Sequence, residues 1–312
     1  MRVLITGCKG YIGSALIEKL AIHHEIFGID VVASDGNELY QYACCDIRDP
    51  RLSDIVAQWE IEVVVHLASV MIPGQDESLE YDIDVNGTQN VVNACVRNRV
   101  SQLCVTSSGA AYGYYPDNPP WLSEEDELRG NRAFSYAWHK RLIEEMIART
   151  VAEQPWMKVL VFRPGTVLGS RTRNQITKLF DAKFVLGIIG SKSPFVFIWD
   201  QDVVDIMVQG VEQGASGVYN LAGDGSLDIT YIAKRLGKPI LWLPSWLLRG
   251  VLGVARGFGL THYGPEQVDF LRYRPVLSNQ KLKDVFGYEP KKTSLEVFDY
   301  FVSQRQKLGG EE

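Results

Sequence analysis

A chain of 312 residues with 46% hydrophobic and 22% charged content can bury an extensive core and has the composition of a soluble globular protein. Its formal net charge of −6 leaves no electrostatic footprint for nucleic acid, and its most apolar later stretch, Pro239 to Leu260, is interrupted by Pro244, Arg249 and Arg256, poor material for a membrane span. The five cysteines (Cys8, Cys44, Cys45, Cys95, Cys104) show no C-x-x-C spacing, so reduced thiols in a cytoplasmic protein are expected rather than disulfides or a zinc site.

Arg2 to Thr6 is a short β-branched apolar run that predicts a buried strand. Gly7, Gly10 and Gly13 follow at three-residue spacing, and Tyr11 to Leu20 carries apolar residues at helical period. Ile26 to Ile29 predicts a second strand ending in Asp30. Strand, glycine turn, helix, strand, acid is the order a dinucleotide site requires. The first glycine permits a tight turn, the second lets backbone approach a pyrophosphate, and the third lets helix and strand pack closely. The helix N-terminus adds unpaired N–H groups and a positive dipole end. Asp30 is placed to accept hydrogen bonds from both hydroxyls of an adenosine ribose and to repel a 2′-phosphate, which favours NAD over NADP.

Val31 to Glu38 reads as a loop, Tyr40 to Cys45 as the third strand leading into Asp46-Ile47, and Pro50 to Trp59 as a helix opened by proline. Glu62 to His66 is the fourth strand, followed by Leu67-Ala68-Ser69 and a loop with Pro73 and Gly74. Ser78 to Asn98 reads as one long helix and Leu103 to Thr106 as the fifth strand. This alternation implies right-handed crossovers and a doubly wound parallel sheet of Rossmann type, an α/β fold. Gly109 to Gly130 has neither period, and a loop that long usually covers a site. A helix over Arg132 to Glu153 and a strand over Val159 to Phe162, ending at Arg163-Pro164, complete this part.

Beyond Gly169 the rhythm changes. The pattern predicts a helix over Asn174 to Leu186, a strand over Phe195 to Ile198, a helix over Gln201 to Gln213 and a strand over Val218 to Leu221. Helices follow near Asp228 to Leu236, Trp246 to Gly257, Pro265 to Leu271, Asn279 to Phe286 and Ser294 to Gln306, before a tail at Gly309 to Glu312. Residues 1–169 are expected to bind the dinucleotide. Residues 170–312 are expected to form a smaller, helix-rich substrate lobe, with some segments returning to the sheet.

Thr106-Ser107-Ser108 closes the fifth strand, and Tyr136 and Lys140 lie four apart on one helical face. A phenol with a pKa near 10 is a poor base at neutral pH. A neighbouring ammonium and an oxidised nicotinamide would lower it, and a serine hydroxyl would hold the substrate oxygen. Such a set moves a proton and a hydride across one C–O bond.

With these residues the chain resembles the extended short-chain dehydrogenase/reductase family, in its NAD-dependent epimerase/dehydratase branch. Thr6 to Gly13, including Gly7, Gly10, Tyr11, Ile12 and Gly13, looks like the family's nucleotide loop; Asp46-Ile47 matches its adenine-contacting pair and Leu67-Ala68 the turn beside the adenosine. Asn86 matches the asparagine of a Val-Asn-Gly-Thr motif, Ser108 the catalytic Ser/Thr, Tyr136 and Lys140 the Tyr-x-x-x-Lys pair, and Arg163-Pro164 with Thr166 the turn beside the nicotinamide. The resemblance implies that Tyr136 is the acid/base, that Lys140 tunes it and binds the nicotinamide ribose, and that Ser108 orients a small-molecule substrate. It also implies a homodimer through the helices at 78–98 and 132–153.

The chain departs from that pattern at several positions. Gly109 and Ala110 stand where sugar dehydratases carry an Asp-Glu pair, which argues against dehydration. Phe195 falls where nucleotide-sugar epimerases usually place an arginine, Thr166 where they often have asparagine, and Trp199 where histidine is usual. Arg171, Arg173, Arg272 and Arg274 are candidates to pair with a diphosphate instead, and Phe195, Trp199, Trp242 and Trp246 to line an apolar pocket or the core. A nucleotide-sugar 4-epimerase and a dehydrogenase or ketoreductase acting on a more apolar alcohol therefore compete, with a non-catalytic NAD sensor as a remote third.

Overall fold

The computed structural model describes residues 1–70, 76–261 and 264–308. The predicted loop at Pro73 and Gly74 and the tail from Gly309 lie outside the described residues. Strands β1 (Arg2–Thr6), β2 (Glu25–Asp30), β3 (Gln41–Cys44), β4 (Val63–His66), β5 (Gln102–Thr106) and β6 (Lys158–Pro164) alternate with helices α1 (Tyr11–Leu20), α2 (Leu52–Gln58), α3 (Glu77–Tyr81), α4 (Gly87–Arg97) and α5 (Ser135–Glu153). Then come β7 (Thr166–Leu168), α6 (Gln175–Asp181), β8 (Val185–Ile188), β9 (Phe197–Trp199), α7 (Asp200–Glu212), β10 (Gly217–Leu221), α8 (Ile229–Leu236), β11 (Ile240–Leu243), α9 (Ser245–Gly257), α10 (Gln267–Arg272) and α11 (Ser294–Leu308).

Seven strands form one sheet in the order β10-β6-β5-β4-β1-β2-β3, every neighbouring pair parallel. Strand order reverses between β1 and β4, which opens a crevice at the carboxyl ends of the strands. Because side chains alternate along a strand, each strand feeds two cores. Leu4, Val64, Leu103 and Val159 pack under α2, α4 and α5, while Val3, Ile5, Val65, Cys104 and Phe162 pack under α1 and α7. Phe180, Phe195, Phe197, Phe298 and Phe301 build a third, aromatic core beneath α8 and α11. β10 joins the main sheet beside β6 although it lies far along the chain.

Three local expectations need correction. The helix expected to reach Leu186 ends at Asp181, because Val185–Ile188 pairs in parallel with Ile240–Leu243. Four-residue apolar runs suit helix or strand equally, and their partner lies more than fifty residues away. The long helix at 78–98 is interrupted by a π-turn over Asp82–Asn86. Phe195 stands before β9, bridging to Leu227, and β7, not anticipated, pairs with β9. The Gly109 to Gly130 loop begins with a 3₁₀ turn and is pinned where Leu122 N–H donates to Val276 O at 2.7 Å.

β4 ends in His66, which is buried. Its Nδ1 lies 2.7 Å from Thr6 Oγ1, and its Nε2 lies 3.0 Å from Thr88 Oγ1. Thr6 Oγ1 also accepts from the Leu67 and Ala68 N–H groups, so one imidazole ties β1, β4 and α4 together. Burial, helped by the Lys140 charge, pushes this imidazole down to about 3. Between its ordinary 6.5 and 3 the unfolded chain binds the proton and the native one does not, so this contribution is complete above pH 6.5 and falls as pH drops. The loss approaches about 1.4 kcal/mol per pH unit within that window. Urea unfolding of the wild type and of His66→Gln between pH 7 and pH 5 checks this: the variant's stability should vary less steeply, and identical slopes would count against His66.

Candidate active site

The crevice is a cleft of about 790 Å³ running from the glycine turn to α10. At its nucleotide end, Gly7 adopts φ +69°, and a Cβ there would stand 2.9 Å from Ala68 N. A Cβ on Gly13 would stand 2.5 Å from Gly7 O, so both glycines are dictated by close backbone approach. Gly10 carries no side chain to cap α1, whose first N–H groups therefore face the cleft. Asp30 is oriented by Lys9 N–H, which donates to Oδ2 at 3.0 Å. The Lys9 ammonium is itself engaged by Glu38 at 2.6 Å, so it is not free to receive a phosphate.

Tyr11, Ile12, Asp46, Ile47, Leu67 and Ala68 all line the cleft. The Tyr11 hydroxyl donates to Asp200 of α7, and Asp46 accepts from the Arg48 guanidinium at 2.7 and 3.0 Å. These residues fit a dinucleotide: a backbone cradle too tight for side chains, an uncapped helix end and a positioned carboxylate. Asn86 does not join them. It is exposed, donates to Asp82 at 2.9 Å and is not part of the cleft wall.

The π-turn instead buries Asp84, two residues earlier. Asp84 accepts from Ser69 Oγ at 2.9 Å and Val70 N–H at 2.8 Å, and its Oδ2 lies 3.2 Å from His139 Nδ1. Burial alone would raise this carboxyl, but these hydrogen bonds and the Lys140 charge hold it below the usual range. Nothing in the sequence marks Asp84 and His139 as partners, since they are isolated polar residues 55 positions apart.

Ser108, Tyr136 and Lys140 meet at the middle of the cleft. Ser108 Oγ accepts from Ala110 N–H at 3.1 Å, Lys140 Nζ donates to Thr106 O at 3.1 Å, and that ammonium lies 5.5 Å from the Tyr136 ring centre. The expected depression of the phenol calls on an ammonium together with an oxidised nicotinamide, and the protein groups by themselves act the other way. Burial pushes Tyr136 up to about 12, with the hydrogen bond to Ser108 opposing, and burial also lowers Lys140. Desolvation outweighs an ammonium that is held on a carbonyl rather than on the phenol.

The helix that carries this pair is fixed from below. Glu144 takes Arg163 in a two-pronged contact, Nε to Oε1 at 2.9 Å and Nη2 to Oε2 at 2.7 Å, with both residues buried. Ser107 Oγ donates to the same carboxylate, and Arg163 Nη1 donates to Tyr112 OH at 2.7 Å.

At the other end, Pro164, Thr166 and Phe195 line the cleft with Arg171, Arg173 and Arg274, together with Tyr114 and Phe270, which sequence reasoning missed. Arg274 is 9% exposed, its guanidinium 3.9 Å from the Phe195 ring centre and 4.6 Å from that of Phe270. Its Nε is buried with no hydrogen-bond partner among the described residues, and burial pushes it down to about 9. Arg272 and Trp199 stay out of the cleft wall. Trp199 packs on Tyr300 with ring centres 5.8 Å apart, and Trp242 and Trp246 are exposed, so those two serve neither pocket nor core.

Residues 3–222 match the model of the NAD dependent epimerase/dehydratase family. The chain is 30% identical over 315 residues to the UDP-glucose 4-epimerase of Mycolicibacterium smegmatis, covering 93% of this chain and 94% of that protein. It is 26% identical over 267 residues to the N-acetyl-alpha-D-glucosaminyl-diphospho-ditrans,octacis-undecaprenol 4-epimerase of Escherichia coli O157:H7, covering 82% and 78% respectively. Among solved structures, the UDP-glucose 4-epimerase of Thermotoga maritima with UDP-glucose superimposes with a TM-score of 0.76 at 18% identity, over 99% of both chains. The chain therefore belongs to the NAD dependent epimerase/dehydratase family, and its cofactor is NAD.

Proposed function

We propose that this enzyme epimerises a sugar carried on a diphosphate, by reversible oxidation of a secondary alcohol. The observation that carries this is Arg274, a guanidinium buried against two aromatic rings and left without a partner for its Nε among the described residues. Leaving a buried cation unpaired is costly, so the site suits an anion that arrives with the substrate. Arg171 and Arg173 share the same wall and add to the attraction. UDP-glucose in one neighbour and the N-acetyl-alpha-D-glucosaminyl-diphospho-undecaprenol in one relative's name are both sugars on a diphosphate.

Bound NAD supplies the hydride acceptor and donor. The chain does the rest. Ser108 and Tyr136 hold the reacting oxygen between their hydroxyls; Tyr136 takes its proton during oxidation and returns it during reduction, while Lys140 sets the field around the phenol. Asp30 holds the adenosine ribose, and the uncapped start of α1 faces the pyrophosphate. Epimerisation is favoured over dehydration because Gly109 and Ala110 place no carboxylic acid beside Ser108. A plain dehydrogenase acting on an apolar alcohol has Phe195 and Phe270 in its favour, but gives Arg274 no role.

Three measurements test the assignment. Wild-type protein should bind NAD at least about tenfold more tightly than NADP, and Asp30→Ala should narrow that gap; equal binding by the wild type would remove the role of Asp30. Tyr136→Phe should keep NAD and lose about 10²- to 10⁴-fold in the interconversion of UDP-glucose and UDP-galactose, with full activity ruling Tyr136 out as acid/base. Arg274→Gln should raise KM for such a sugar more than it lowers kcat, and an unchanged KM would favour the dehydrogenase.

A further inference from the structure

The helix-rich lobe carries an apolar surface that the cleft does not use. α9 packs inward through Leu248 and Leu252 onto Val268 and Leu271 of α10 and onto Ile188 and Leu243. A second face, turned to solvent, presents Leu247, Val251, Val254 and Phe258, spaced four, three and four apart, with Trp246 beside them. Their exposures are 38%, 55%, 61%, 78% and 72% in that order. Leu241 and Trp242 of β11 are exposed as well. Contiguous exposed apolar surface of this kind marks an interaction site.

Charge identifies what it meets. Residues 234–265 carry Lys234, Arg235, Lys238, Arg249 and Arg256 and no acidic residue, in a chain whose formal net charge is −6. Residues 178–192, which include β8, add Lys178, Lys183 and Lys192 against Asp181 alone. Arg235, Arg249 and Arg256 are paired with Asp299, Asp269 and Glu266 at 2.5, 2.6 and 2.9 Å, and at about 3.6 residues per turn Arg249 and Arg256 lie on the other side of α9 from Leu247, Val251, Val254 and Phe258. Trp, Phe and Leu on one side of a helix with Arg on the other is the make-up of a helix that lies in a membrane interface. At 13 residues α9 is too short to span one, and no helix among the described residues is long and apolar enough to do so. A second copy of the chain is a poorer occupant, because a two-fold contact through this face would bring two net-basic segments together.

We propose that α9 and the adjoining edge of β11 dock onto an anionic lipid bilayer, with Trp246, Leu247, Val251, Val254 and Phe258 entering the boundary between headgroups and acyl chains. The docking goes beyond the proposed reaction and does not depend on it. One consequence does rest on that reaction: α10 separates this face from the cleft and contributes Phe270 beside Arg274. The docked cleft would thus receive a sugar diphosphate carried on a lipid.

Flotation of the full-length, NAD-loaded protein with phosphatidylglycerol/phosphatidylcholine vesicles, in the absence of any sugar substrate, tests the docking alone. The protein should float with these vesicles, far less with pure phosphatidylcholine, and less as salt is raised. Val254→Glu and Phe258→Glu should each weaken vesicle binding at least about tenfold while leaving NAD binding unchanged. Failure to float with anionic vesicles, or flotation that both variants retain, overturns the proposal. So does a wild-type dimer in light scattering that the variants convert to monomer without any vesicle binding, which would make a second copy the occupant.

Discussion

The reactive centre depends on one buried ion pair, Glu144 with Arg163. Two charges removed from water repay their desolvation only when geometry is good and the remaining hydrogen-bonding capacity is met. Here both conditions hold: the guanidinium grips the carboxylate at 2.7 to 3.0 Å, Ser107 donates to Glu144, and Arg163 donates to Tyr112. The consequence is positional. Tyr136, Lys140 and Glu144 recur every four residues along one face of α5, so anchoring Glu144 to the end of β6 sets the height and rotation of the phenol. Ser107 and Ser108 are adjacent, so the segment that anchors the helix also presents the hydroxyl opposite Tyr136. Losing either member of the pair would leave an uncompensated charge worth about 3–5 kcal/mol, and would free the face of α5 that carries Tyr136 and Lys140 as well.

At the nucleotide end of the cleft, the charged groups are already engaged within the chain. Asp30 takes the Lys9 N–H, Lys9 takes Glu38, and Asp46 takes Arg48. These pairs shape the nucleotide end without calling for an ionic ligand group. Arg274 differs, because its surroundings are rings rather than carboxylates. A site with the Asp30 carboxylate at one end and the Arg274 guanidinium at the other gives direction to whatever lies in it.

The legible parts of this architecture were those that local chemistry determines. From β1 through Asp30 every feature follows from neighbours in sequence: β-branched residues, glycines at three-residue spacing, and an apolar helical stripe. The Tyr136–Lys140 pair is local for the same reason. What escaped was set at long range. Leu186 became strand because Ile240–Leu243 lies alongside Val185–Ile188. The inward face of the 82–86 segment belongs to Asp84 and not to Asn86, because a π-turn shifts the helical register in a way that a steady 3.6-residue period does not convey. Trp242 and Trp246 sit in an amphipathic stretch that looks like core, yet their apolar side faces outward, and periodicity finds a stripe without saying what lies against it.

Burial is the other quantity that residue spacing does not reveal, and it changes how the centre works. The Tyr136 phenol is pushed up to about 12 and the Lys140 ammonium is pulled down, so desolvation disfavours both charged forms. Asp84 deepens the first effect and opposes the second, since its negative charge resists a phenolate and supports an ammonium. The resting centre therefore holds its proton. Only further positive charge inside the cleft would bring the phenolate within reach of neutral pH. Tyr136 and Lys140 thus differ from a free-standing acid/base pair: spacing sets their geometry, while their proton affinity answers to what else the cleft contains. The same dry walls that resist ionisation also strengthen the field of any charge that enters, so both effects follow from a single cause.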